Sequence, residues 1–209
     1  VGAELAALAD NANMKLVAWW EIGFRCLANN ARPINSVEDV KGLRLRVMSN
    51  EVHQALWTAL GADPVPMSLS DAYVANQNGT IDGVLNDCTF WYTQGLYESA
   101  KNINLCPAGA FVNCFFFSAD WMDGLPQNVQ DLLLTTAREV VDDYEVDYMT
   151  QYSQDAMDAM VEAGCTLVEP SAELLAEMEA ATAPLHESFK ATNSDCAAIY
   201  DEFVALLLR

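Results

Sequence analysis

Arg44 and Arg46 stand two apart in the stretch KGLRLRV, residues 41–47. In an extended strand that spacing puts both guanidiniums on one face. Guanidiniums suit the recognition of a carboxylate, because each offers a planar fork of N–H donors and a permanent charge. Arg25 closes another strand-like run, KLVAWWEIGFR, and Asn86 lies just past TIDGVL. In an open parallel sheet the carboxyl ends of the strands face the ligand crevice. Arg25, Arg46 and Asn86 at three strand ends therefore form a candidate anion site, and Arg46 is nearer its strand's end than Arg44. The competing reading is that these arginines make ordinary surface pairs with neighbours such as Glu38 or Asp39.

Other chemistry is sparse. The sequence carries no phosphate-binding glycine loop, no nucleophile elbow and no H-E-x-x-H zinc signature. Its two histidines, His53 and His186, both fall on expected helices, where a surface or half-buried imidazole is the ordinary outcome. Asp142 and Asp143 read as a solvated helix face rather than as a catalytic pair. NGT at 78–80 matches a glycosylation sequon and equally fits a helix-stop turn. The six cysteines, at 26, 88, 106, 114, 165 and 196, form no C-x-x-C pair, so no metal site and no cofactor is expected. They read mostly as small buried apolar residues, with three disulfides open to an exported protein.

Charge narrows the classes of partner. The formal net charge is −20 over 209 residues, which argues against nucleic acid and against an anionic membrane surface. Five of the ten cations (Arg25, Arg32, Lys41, Arg44 and Arg46) nevertheless fall between residues 25 and 46. Positive charge is thus concentrated where the candidate site lies. No apolar run is long enough to span a membrane. A hydrophobic content of 52% is ample for a folded core.

The elements that must position these residues follow from periodicity. Residues 2–13 read as a helix and KLVAWWEIGFR as one long strand. Ser36, with Asp39 three residues on, opens a short helix that Gly42 closes. LRLRV is the next strand. SNEVHQALWTALG is a helix capped by Ser49 or Asn50 and ended by Gly61, and SLSDAYVANQNG is a helix capped by Ser70 and ended by Gly79. With a short strand at DPVPM and another at TIDGVLN, residues 43–84 alternate strand and helix, the pattern of a largely parallel sheet. CTFWYTQGLYESA reads as a short helix, NINLC as a short strand and AFVNCFFFSAD as a buried strand. A helical pattern runs from about Pro126 to Ala163, long enough to cross two lobes and hold them together. GCTLVEP is a strand, and two helices close the chain.

GFRCLANNARPINSVEDVKGLRLRV followed by ALGADPVPMSLSDAYVANQNGTIDGVLND resembles the solute-binding proteins of tripartite ATP-independent periplasmic (TRAP) transporters, DctP type. The resemblance extends more loosely through the apolar strand, the long helix and EAGCTLVEP to the closing helices. It implies a two-lobed α/β periplasmic-binding-protein-like fold with a long lobe-spanning helix. It also implies that Arg46 makes the main salt bridge to a ligand carboxylate, with Arg25 a second ligand arginine and Asn86 a further carboxylate contact. The chain departs from the family pattern in three places. DGVLND replaces the usual DGQENP. Leu69 stands where an aromatic is common, so Trp19, Trp20, Phe90, Trp91 and Tyr92 become the candidates for a stacking surface. The βαβ portion with which members begin is not in this sequence, which opens on VGAELAALAD as a helix already under way, so the first lobe is expected to be incomplete.

On that resemblance residues 1–23 belong to the remainder of the first lobe and a hinge strand, and 24–110 to the ligand-anchoring lobe. Residues 111–163 hold the return strand and lobe-spanning helix, and 164–209 the closing strand and helices. The implied function is non-catalytic: an exported, extracytoplasmic protein captures a small organic acid and delivers it to TRAP membrane subunits. A ligand-sensing module for a receptor is the alternative. An enzyme on the same scaffold would need His53 or Asp87 to act near Arg46.

Overall fold

Helix α1 (Gly2–Asn11) leads into strand β1 (Met14–Phe24) in the computed structural model, which describes residues 2–105 and 110–207. Then come β2 (Cys26–Asn29), a 3₁₀ turn at Val37–Val40, β3 (Arg44–Val47), α2 (Glu51–Ala59), β4 (Asp63–Pro66), α3 (Leu69–Gln77) and β5 (Gly83–Asn86). Helix α4 (Cys88–Thr93), a 3₁₀ turn at Leu96–Glu98, β6 (Asn102–Asn104), β7 (Ala110–Ser118) and α5 (Ala119–Asp123) follow. A continuous helical run is made of α6 (Gln127–Val140), a π segment (Val141–Glu145) and α7 (Val146–Glu162). The chain closes with β8 (Thr166–Val168), α8 (Ala172–Thr182), α9 (Pro184–Thr192), a 3₁₀ turn at Ser194–Cys196 and α10 (Ala197–Leu207). The expected α/β class is thus the observed one.

The chain forms two compact units. Unit 1 takes Val1–Ile22, Val112–Gln151 and Lys190–Arg209, and unit 2 takes Gly23–Phe111 and Tyr152–Phe189. The long helix therefore contributes residues to both units. The stretch expected as one closing block, 164–209, is divided between them near residue 190.

In unit 1, β1 and β7 pair as a two-stranded sheet. Asn13, in the left-handed region at φ 58°, ties the start of β1 to α5. Its carbonyl accepts from Ala119 N at 3.1 Å and its side chain exchanges bonds with Asp120, Oδ1 accepting from the backbone N at 3.0 Å and Nδ2 donating to Oδ2 at 3.1 Å. Phe115, Phe117 and Trp121 form a chain of tilted rings with centroids 5.0 and 5.5 Å apart. Phe115 and Phe117 of β7, Trp20 of β1 and Leu132, Leu133, Ala137 and Val140 of α6 line an apolar cavity of about 700 Å³.

Unit 2 is built on a six-stranded sheet in the order β4-β3-β5-β2-β6-β8. The β3-α2-β4-α3-β5 alternation gives parallel pairs, as the sequence pattern requires. β2 runs antiparallel to both β5 and β6. KLVAWWEIGFR is one strand up to Phe24, as expected: it forms β1, which pairs with β7, and Arg25 separates it from β2 in the six-stranded sheet. Side-chain alternation sorts the sheet's two faces into two cores. Cys26, Ala28, Val84 and Ile103 pack on one side with Trp91 and Met160. Leu27, Leu45, Val47 and Leu85 pack on the other with Trp57 and Leu174.

Caps and turns hold the site-bearing strands in register. The Asn50 side chain accepts from the backbone N–H groups of Val52 and His53 and so starts α2, as the sequence allowed. α3 starts two residues earlier than Ser70 would place it. Ser68 is the cap, its Oγ accepting from Asp71 N, and Ser70 lies inside the helix. Gly83 is the residue that lets β2 and β5 approach. A Cβ there would sit 2.6 Å from the Ala28 carbonyl oxygen and 2.9 Å from Asn29 Cβ.

Among the described residues no helix is long and apolar enough to cross a membrane, and no cluster of His, Cys, Asp and Glu is placed to hold a metal ion.

Candidate anion-binding site

β3 carries Arg44 and Arg46 on one face, and the two have opposite surroundings. Arg44, at the exposed start of the strand, is held by Asp82: Nε donates to Oδ2 at 3.1 Å and Nη2 to Oδ1 at 2.5 Å. Asp82 Oδ2 also accepts from the Arg44 backbone N–H at 2.8 Å, so strand start and side chain are fixed by one carboxylate. These bonds hold the Asp82 carboxyl below its ordinary pKa and raise that of Arg44.

Arg46 is only 6% exposed. Its Nε donates to the Met67 carbonyl at 3.0 Å. Among the described residues no carboxylate pairs with it. Burial, and then the like charge of Arg25, lower its pKa, because both oppose the charged form. A guanidinium is never neutral at physiological pH, so both effects weigh on a charge that stays. The expected surface pair with Glu38 or Asp39 is not formed. Glu38 pairs with Lys41 at 2.5 Å, and Asp39 Oδ2 accepts from Ser36 N and Oγ, each at 3.0 Å.

Register places Asn86 on the face of Arg46. Arg46 is aligned with Val84 across the parallel pair, and Asn86 is two residues further along β5. Asn86 Oδ1 accepts from Asp87 N at 3.0 Å, and its backbone carbonyl accepts from Trp91 Nε1 at 3.3 Å. Asp87 caps α4, its Oδ1 accepting from Phe90 N at 2.9 Å and from Thr89 Oγ1. The turn after β5 is thereby fixed at both ends.

Arg25 sits at the junction of β1 and β2, half-buried. Burial lowers its pKa, and attraction to Asp87 works the other way. His53, on the first turn of α2, completes the cluster. Its pKa is lowered by burial, then by Arg25 and then by Arg46. Both charges act on the imidazole, so the three groups share one region of unit 2. His53 was not among the ligand residues expected from the sequence. The signal for it was present: only Met48, Ser49 and Asn50 separate the carboxyl end of β3 from α2, so the helix's first turn must lie beside the strand end.

The expected stacking residues disperse. Leu69 and Phe90 are half-buried and pack against the Cys26–Trp91 core. Trp91 is 0% exposed, so in unit 2 it supports Asn86 and offers no open ring face. Tyr92 is exposed and stacks on Tyr97 with centroids 5.9 Å apart. Trp19 and Trp20 belong to unit 1, where Trp19 is exposed and Trp20 lines the apolar cavity. That cavity has no cation in its lining and includes Glu145, so it is a poorer host for an anion than the Arg25–Arg46–His53 cluster. Of the cysteines, Cys26, Cys88 and Cys165 are buried, and Cys106 lies outside the described residues.

Residues 1–193 match the family model "DctP: Bacterial extracellular solute-binding protein, family 7". The C4-dicarboxylate-binding periplasmic protein DctP of Rhodobacter capsulatus is 31% identical over 172 residues, 82% of this chain and 51% of its own length. The 2,3-diketo-L-gulonate-binding periplasmic protein YiaO of Escherichia coli K12 is 26% identical over 168 residues, 80% of this chain and 51% of its own length. Among solved structures, a TRAP periplasmic solute-binding protein from Roseobacter denitrificans with bound β-D-glucuronate superimposes with a TM-score of 0.89 at 26% identity. That likeness covers 96% of this chain and 65% of the other. The chain thus spans about half the length of these curated relatives.

Proposed function

Because this chain belongs to the DctP family of bacterial extracellular solute-binding proteins, we propose that it is the ligand-anchoring part of a TRAP solute-binding protein for a small organic carboxylate. In this reading Arg46 is the principal anchor, Arg25 a second donor and Asn86 an amide donor to the same carboxylate. The observation that carries it is the state of Arg46: a buried guanidinium at a strand end, bonded through Nε to Met67 and paired with no carboxylate among the described residues. Leaving a buried charge without a partner is costly, so an incoming anion is favoured there. Exclusion of water round the pair would strengthen it further, since Coulomb attraction grows as the local dielectric falls.

The relatives support an acid ligand. The names of the two curated relatives specify a C4-dicarboxylate and a diketo sugar acid, and the Roseobacter structure holds a uronate. The reaction class is capture and release. The anchors bind without bond-making, and the membrane subunits of the transporter are the receiving partner. Location outside the cytoplasmic membrane follows from the same reading. Leu69, Phe90, Trp19 and Trp20 remain the candidates for contact with the ligand's body.

Calorimetric titration of the whole protein with C4-dicarboxylates, uronates and aldonates tests the proposal, together with denaturing mass spectrometry of ligand carried through purification. Micromolar or tighter binding of at least one acid is expected. A protein that carries no acid and binds none of the panel below millimolar concentration would reject it.

A further inference from the structure

The anion cluster is bordered by two thiols that the ligand reading does not use. Cys26 is the first residue of β2, next to Arg25, and Cys88 is the first residue of α4, two after Asn86. Antiparallel register aligns Cys26 with Asn86, so the turn that follows Asn86 carries Cys88 back over Cys26. The two Sγ atoms are 3.6 Å apart, at contact distance. They are 5% and 8% exposed and lie in one apolar core with Ala28, Val84 and Trp91.

We infer that Cys26 and Cys88 are a redox pair that closes to a disulfide across the sheet, beside the candidate anion site. The sulfurs are already in contact, and closure brings them from 3.6 Å to the bonded distance of about 2 Å. The contact with Cys26 lowers the Cys88 pKa, against the opposing effects of burial and Asp87, which favours its thiolate. An extracellular setting, which the family's description implies, is one where disulfides form and persist.

The oxidant is a small-molecule disulfide. The Cys88 thiolate attacks one of its sulfurs, forming a mixed disulfide and expelling one thiol. Cys26 then attacks the Cys88 sulfur, which forms the Cys26–Cys88 bond and expels the second thiol. Two protein thiols are oxidised, one small-molecule disulfide is reduced to two thiols, and the two thiol protons end on the leaving groups. The bond would tie residues 62 apart in sequence, enclosing β3 and Arg46 within the covalent loop. Restricting the unfolded chain over so long a loop is the source of the expected stabilisation.

Peptide mapping tests the pair directly. The whole protein is equilibrated with an excess of small-molecule disulfide, alkylated in denaturant without reductant, digested and weighed. The expected result is that the Cys26 and Cys88 peptides are recovered linked, lighter by two hydrogens than their sum, while the Cys165 peptide is alkylated. Reductant should separate them and lower the Tm by about 5–10 °C. In Cys26→Ser and Cys88→Ser variants that reductant-dependent shift should vanish. Full alkylation of both thiols after oxidation, or a linkage of either to a different cysteine, would overturn the inference. The mapping needs no ligand, so its failure leaves the anion-binding reading standing, and the converse holds.

Discussion

Arg44 and Arg46 share one face of β3, and only Arg44 is neutralised, by two side-chain bonds to Asp82. Two residues of strand separate a structural cation from one whose charge is unanswered. The first prediction uses that contrast. Arg46→Ala should weaken carboxylate binding by about two to three orders of magnitude, the range for removing one member of a desolvated charge pair. Its Tm should not fall, because a buried unpaired charge is removed. Arg44→Ala should leave affinity within about threefold. Calorimetry and thermal melts of both variants check the pair, and equal affinity losses would refute the division of roles.

The second prediction concerns protons. His53 is held below its ordinary pKa by burial and by Arg25 and Arg46. The unfolded chain therefore binds more protons at this site than the folded one, and stability should rise with pH between the folded value and about 6.5. It should fall as pH drops through that window. A bound carboxylate offsets both arginines and moves the His53 pKa back up, so binding near pH 6 should take up a fraction of a proton. Titrations in two buffers of different ionisation enthalpy measure that uptake, and His53→Gln should abolish it.

Asn86→Asp keeps the shape of the side chain and puts a negative charge on the face of Arg46. The third expectation is a loss of carboxylate affinity of at least about tenfold. The variant should fold, because the Oδ1 that accepts from Asp87 N is retained. Titration and circular dichroism together decide it. Unchanged affinity would remove Asn86 from the site.

Gly83→Ala tests the scaffold. The added methyl meets the Ala28 carbonyl oxygen, which is backbone and cannot swing aside. A cost of about 1–3 kcal/mol is expected from overpacking. Urea unfolding measures it, with affinity reduced as well if β5 moves and takes Asn86 with it.

The fifth prediction separates the units. Unit 1 has a two-stranded sheet, whereas unit 2 has six strands with a core on each face. Two-stranded sheets are marginal by themselves. In this 209-residue chain, amide hydrogens of β1 and β7 should exchange faster than those of β2, β3 and β5. Hydrogen exchange with mass spectrometry reads this peptide by peptide.

Most of unit 2 was legible in the sequence because its signals are local. Asn50 and Gly61 bracket α2, and the strand–helix alternation from 43 to 84 dictates parallel pairing. KLVAWWEIGFR was legible as the single strand β1. The partners of β1 and β2 were not, because β7 and β5 lie far away in sequence. The α3 cap is Ser68 and not the expected Ser70, a residue of the same chemistry two positions away. The strand-end positions of Arg46 and Asn86 were legible in the sequence. His53 lies outside the expected ligand residues, although the short step from β3 to α2 already puts the helix's first turn beside the strand end. Trp91 is a candidate ligand surface by composition and a core residue by structure, since composition alone cannot tell which side of a short helix faces the core.

The π segment at Val141–Glu145 has a consequence for the helix that contains it. A turn closed by i→i+5 bonds accommodates one residue more than an α turn, so later side chains are displaced by about 100° round the axis. Before it, Leu133 and Ala137 line the cavity of unit 1, and after it, Ala156 and Met160 are buried in unit 2. The segment sets the phase in which the residues after it continue the helical repeat. Deleting one residue within it would leave both halves helical and rotate Ala156 and Met160 about the axis relative to Leu133 and Ala137, a fault of phase rather than of helicity.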